Sequence, residues 1–127
     1  MLKAKSMDNQ NLKRRTKKFA LDVIKLVESL PRDYTCRVLG GQLLRAGTSV
    51  GANYRAVCRA KSVADFISKF GTVEEEVDES GFWLELLVDS GKLDQATALP
   101  LIEESDELTA IAVSSINTAR KSGSSGS

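Results

Sequence analysis

A chain of 127 residues, 42 % hydrophobic but only 6 % aromatic, is long enough to bury one core and too short to divide into two domains. It has no histidine, which removes Ser-His-Asp and Cys-His nucleophile systems, Glu-x-x-His di-iron bundles and histidine-containing zinc sites. The net charge of +1 hides a split: residues 1–69 hold fifteen Lys/Arg against five Asp/Glu, and residues 70–127 hold three against twelve.

The sequence has no run of about eighteen apolar residues, so no membrane-spanning helix is expected. The charged N-terminus lacks the apolar core of a secretion signal and points to the cytoplasm. Cys36 and Cys58 fall on one expected helix, roughly 33 Å apart at about 1.5 Å per residue. That is too far for a bridge within the chain, so reduced, core-type thiols are expected.

Four helices and no strand are expected in a single domain spanning residues 1–121. The first covers about residues 9–30, where Leu12, Phe19, Val23, Leu26 and Leu30 share a face widened by Ile24 and Val27. Pro31 stops it. The second covers about residues 34–60, with Leu39, Leu43, Ala46, Val50, Asn53 and Val57 at the alternating spacing of a left-handed bundle seam. Gly40, Gly41, Gly47 and Gly51 would each cost about 1 kcal/mol there relative to alanine. Close approach of a neighbouring helix at Gly47, Ser49, Gly51 and Ala52 accounts for that cost; a loop around Gly40 and Gly41 is the alternative.

Ser62 and Asp65 form a capping box with aspartate in place of glutamate, opening a third helix over about residues 62–91. Its seam is Val63, Phe66, Phe70, Val73, Val77, Ser80, Leu84 and Leu87. Asp65 and Lys69 form an i,i+4 pair, and Gly91 suits a left-handed C-terminal residue. A fourth helix is expected over about residues 94–120, on the weaker pattern Leu101, Leu108, Ile111, Ala112, Ser115 and Ala119, with a kink or restart at Pro100. Residues 122–127, SGSSGS, have the composition of a disordered tail. Short connections make an antiparallel, up-down-up-down, all-α four-helix bundle the simplest architecture.

Several clusters could carry chemistry. Lys13, Arg14, Arg15, Lys17 and Lys18 are five cations in six residues, a candidate phosphate-binding segment for RNA or DNA. They are equally a solvated helix start, or a contact for the acidic half of a neighbouring subunit. No aromatic residues interleave them, which argues against a stacking platform for single strands. On the third helix, Glu75, Asp78 and Glu79 point outward while Glu74 and Glu76 flank the seam. Arg45 and Arg59, fourteen residues apart, lie on one line beside the second seam. With Arg55 they are expected to pair with this acidic cluster, Glu74 and Glu76 included, between helices or subunits; a solvated acidic face or a ligand site is the alternative. Asn53 stands among apolar seam neighbours, where asparagine can set register or oligomeric state. Phe82 and Trp83 extend the apolar surface beyond one face and suit a core or subunit contact. Nothing forms a catalytic set, a metal site or a cofactor site.

The block Gln42-Leu-Leu-Arg45-Ala-Gly-Thr-Ser49-Val-Gly-Ala-Asn53-Tyr-Arg55, then Arg59-Ala-Lys-Ser62 and Asp65-Phe66, is followed by Glu74-Glu-Glu-Val-Asp78-Glu79 and Phe82-Trp83-Leu-Glu-Leu. With Arg15-Thr-Lys-Lys-Phe19-Ala and Leu30-Pro31, these residues resemble the bacterial four-helix-bundle family of proteins encoded by intervening sequences in 23S rRNA genes. The resemblance spans about residues 12–91. It implies an antiparallel bundle that assembles into ring-like homopentamers. It also implies kinship with the accessory proteins of diversity-generating retroelements, which bind nucleic acid and a reverse transcriptase. Other members carry Ile-Ala-Glu-Gly after the asparagine where this chain has Tyr-Arg-Ala, marking a variant branch. The resulting expectation is a non-enzymatic, self-associating bundle with RNA as a partner. The alternative is a homo-oligomeric scaffold that meets a partner protein and has no nucleic-acid role.

Overall fold

The computed structural model describes the backbone of residues 2–125 and the side chains of residues 9–123. The described residues form four helices and no strand: α1 (Leu2–Glu28), α2 (Tyr34–Val57), α3 (Val63–Asp89) and α4 (Gln95–Ser125). Consecutive helices pack antiparallel. Val23 meets Gly47 and Thr16 meets Gly51, Arg45 reaches Glu76, and Gly81 faces Ser105. A 27-residue helix spans about 40 Å at about 1.5 Å per residue. Among the described residues, each neighbouring pair is well packed except α1 and α4, which approach only sparingly, and the backbones of the diagonal pairs stay apart.

The helix ends follow local chemistry. Asp33 accepts from the Cys36 backbone N–H at 2.7 Å and caps α2. At the start of α3 the Ser62 side chain accepts from Asp65 N at 3.0 Å. The Asp65 carboxylate reaches back to Lys61 N at 3.0 Å, one residue before the cap whose own N–H a full capping box would use. Gly91 is left-handed with φ 78°. Lys92 N then donates to Leu87 O and Gly91 N to Val88 O, the paired bonds that close a helix by the Schellman pattern. Lys92 Nζ bonds Asp33 Oδ2 at 3.0 Å, fastening the α1–α2 turn to the α3–α4 turn at one end of the bundle.

The expected boundaries shift in places. α1 begins at Leu2 and ends at Glu28, its last carbonyls taken by Ser29 N and Leu30 N in a tightened turn before Pro31. α2 ends at Val57 rather than Ala60, and the Gly40-Gly41 pair lies inside it as continuous helix. α4 passes through Pro100 without a restart and runs to Ser125, five residues beyond the expected end. The expected disordered tail therefore begins as helix, with Gly123 tucked beside Val63; Gly126 and Ser127 lie outside the described residues.

The core combines Phe19, Leu43, Tyr54, Phe70, Leu84 and Leu108 with smaller residues from all four helices. Close approach between α1 and α2 occurs at Gly40, Gly47 and Gly51, whereas Ala52 is exposed and Ser49 bonds its own helix at Arg45 O. The line of Gly40, Gly47 and Tyr54, seven residues apart, faces inward. Tyr54 is 1 % exposed and takes the place expected for Asn53. Its ring tilts against Phe70 with centroids 5.6 Å apart, and its hydroxyl donates to Asn9 Oδ1 at 3.0 Å.

Candidate functional site

The basic run lies in the middle of α1, where helical spacing distributes its five cations around the exposed half of the helix. Arg15 turns toward α4 and makes a two-pronged bond with Glu104, Nε to Oε2 at 3.0 Å and Nη2 to Oε1 at 2.7 Å. Glu107 adds an ion pair at 3.4 Å. The Glu104 hydrogen bond, offset in part by burial, raises the guanidinium pKa further above its ordinary value. Lys18 pairs with Asp22 at 2.7 Å, one turn along α1, and that bond raises its pKa. Lys13, Arg14 and Lys17 are exposed and have no side-chain ion pair or hydrogen bond among the described residues. The five therefore do not act as one group: two are engaged within the chain and three are available.

Among the described residues, the expected pairing between the second and third helices is present at Arg45. Its guanidinium bonds Glu79 and lies 3.5 Å from Glu76 Oε2. That oxygen is enclosed and makes no hydrogen bond, so the nearby Arg45 charge is what compensates its burial. Glu79, expected to point outward, is half-buried and also accepts from Trp83 Nε1 at 3.2 Å. Trp83 is half-buried on the same face, its ring edge-on to Phe82 with centroids 5.1 Å apart. Phe82 itself is 52 % exposed. Arg55 and Arg59 are exposed with no side-chain partner among the described residues. Glu74 turns the other way, into a shallow groove between α3 and α4 that Arg120 also lines. Asn53 is half-buried beside the seam, and its side chain makes no hydrogen bond among the described residues.

Topology converts the split in sequence charge into a split in space. α2 contains no Asp or Glu, and residues 9–59, which form the described part of the α1–α2 pair and its turns, hold eleven Lys/Arg against three Asp/Glu. Residues 63–121, the α3–α4 pair, hold thirteen Asp/Glu against four Lys/Arg. One side of the bundle is thus basic and the other acidic. Sequence reasoning missed Glu104, Glu107, Asp33 and Lys92 as partners. Their pairings depend on how residues far apart in sequence align across the bundle, and no local spacing reports that.

Cys36 is buried and Cys58 half-buried, both as free thiols; burial, then the neighbouring Asp33, pushes the Cys36 thiol pKa up. Among the described residues no group of three or more His, Cys, Asp or Glu is placed to hold a metal ion. No helix among them is long and apolar enough to cross a membrane.

The profile of the 23S rRNA-intervening sequence protein family matches residues 8–114. The chain belongs to that family. A crystal structure at 1.70 Å of a protein of unknown function from the S23 ribosomal protein family of Bacteroides thetaiotaomicron is similar to it, with 31 % identity and a TM-score of 0.79. The similarity covers 86 % of this chain and 97 % of that one. No curated protein sequence matches the chain. The two chains thus share one fold over most of their lengths.

Proposed function

We propose that this member of the 23S rRNA-intervening sequence protein family is a non-enzymatic, self-associating cytoplasmic protein that binds nucleic acid through the basic α1–α2 side. The observation that carries this is the set of exposed cations without partners there, Lys13, Arg55 and Arg59, with Arg14 and Lys17 at its edge. Lys13 lies level with Arg55 across the α1–α2 groove, because Thr16 faces Gly51 and Asn9 bonds Tyr54. Cations spread over two helices with no carboxylate on α2 attract a phosphate backbone without regard to base sequence. Arg15 serves the fold instead, holding α1 to α4.

The test is anisotropy of labelled structured RNA titrated with nuclease-treated protein over a series of salt concentrations. Three phosphate contacts, at Lys13, Arg55 and Arg59, give a slope of about −2 to −3 in log K against log salt. Replacing Lys13, Arg55 and Arg59 by Glu should abolish binding while leaving the helical circular dichroism unchanged. Absence of binding at low salt would remove the nucleic-acid role and leave the alternative, a homo-oligomeric scaffold, which the acidic α3–α4 side favours.

A further inference from the structure

α1 and α3 are each 27 residues long and run in the same direction on opposite corners of the bundle, each packed on α2 and not on one another. Their solvent faces therefore point away from each other. Leu21 and Phe82, 49 % and 52 % exposed, occupy the same position in the two helices. Both helices end at the face of the bundle that the Asp33–Lys92 bond fastens, so the two residues lie at nearly the same height.

The surroundings of these two residues match with opposite sign. Three, four and seven residues before Leu21 come Lys18, Lys17 and Arg14; three, four and seven before Phe82 come Glu79, Asp78 and Glu75. Of these, Arg14, Lys17, Glu75 and Asp78 are exposed and lack a side-chain partner among the described residues. Lys18 and Glu79 are held within the chain by Asp22 and Arg45. The charges left open on one ridge are thus those that complement the charges left open on the other.

We infer that the α1 ridge of one copy docks in parallel on the α3 ridge of the next. Leu21 meets Phe82 there, Arg14 faces Glu75 and Lys17 faces Asp78. This deepens the proposed function and rests on its self-association. A second copy suits the acidic ridge better than a polyanion does, since Glu75 and Asp78 repel phosphate. Parallel helices at one height bring the ridges together without axial rise. Because the contact is head-to-tail, an open row of any length still presents one unfilled ridge of each kind, one at each end, and growth ends only when a ring closes. Docking covers Arg14 and Lys17 and leaves Lys13, Arg55 and Arg59 open to nucleic acid.

The test is sedimentation of the full chain carrying Lys17→Glu, Asp78→Lys, or both. All the altered residues are exposed, so the helical circular dichroism should remain as in the parent. Each single change should weaken association by about tenfold, and the double change should restore most of it, because swapped charges still face each other. Asp78→Lys should leave RNA binding undiminished. An assembly that neither single change weakens, or that the double change weakens further, overturns this interface and leaves self-association standing. A two-fold dimer as the parent species also overturns it, since it would not join unlike ridges head-to-tail. A parent protein that stays monomeric removes the self-association on which it rests.

Discussion

At the scale of single residues, the spacing between α1 and α2 is set by what glycine lacks. A Cβ built on Gly47 would lie 2.9 Å from Val23 Cγ2 and 3.1 Å from Val23 Cβ. Val23 is fully buried and, being β-branched, has one preferred rotamer in a helix, so it cannot turn aside. Gly47→Ala gains about 1 kcal/mol of helix propensity but forces an overpacked contact costing about 1–3 kcal/mol. The variant should be less stable by up to about 2 kcal/mol. Gly41, six residues earlier in the same helix, has nothing within 4 Å of its hypothetical Cβ. Gly41→Ala should therefore stabilise by about 0.5–1 kcal/mol. Urea midpoints of the two variants decide the point, and a stabilised Gly47→Ala would mean that this contact does not set the helix separation.

At the scale of elements, Asp33 starts α2 and ties two turns together. Its pKa is lowered, first by the Cys36 backbone N–H and then by the Lys92 bond. A carboxylate with a depressed folded pKa adds stability that is fully present above the unfolded value of about 3.9 and is lost as pH falls through the folded value. The stability gap between the parent and Asp33→Ala, followed by denaturant melts, should be constant near neutrality and shrink as pH falls below the ordinary aspartate range. Asp33→Asn keeps a capping oxygen but not the charge, so it should recover the cap and lose most of the pH dependence. A gap that does not change with pH would show that neither partner responds to the charge. These end signals were legible in the sequence at Ser62, Asp65 and Gly91, because caps and left-handed glycines act over three or four residues. The seam of α2 was less so. Alternating spacing counts apolar side chains and selects Asn53, whereas the true inward face includes Gly40 and Gly47, where backbone rather than side chain meets α1. That contact rotates the buried face toward Tyr54. The candidate site divided in the same way: the charge split and the Arg45–Glu76 pairing followed from sequence, while the Arg15–Glu104 bond required the register of the folded bundle.

At the scale of the whole molecule, α1 is the least anchored helix. It packs along α2, but its other flank touches α4 only sparingly among the described residues, where the bond from Arg15 to Glu104 is a polar link across that gap. Both side chains are about a quarter exposed, so solvent screening limits the link to about 1 kcal/mol. Proteins open in cooperative units whose free energies follow their packing, so α1 should open before the α2–α3–α4 unit does. Amide hydrogen exchange should show weaker protection across the middle of α1 than at equally buried positions of α3. Arg15→Met should speed exchange in α1 by about fivefold, the equivalent of about 1 kcal/mol, with little change in α3. Equal acceleration in all four helices would mean that α1 never opens alone. The consequence for function is direct, because α1 carries Lys13, Arg14, Lys17 and Leu21. Both the proposed nucleic-acid surface and the proposed docking ridge depend on a helix that Arg15 ties to Glu104 and Glu107 at its α4 flank. Arg15→Met should therefore lower RNA affinity and self-association only by the fraction of chains in which α1 is open, and a larger loss of either would mean that Arg15 itself touches the partner.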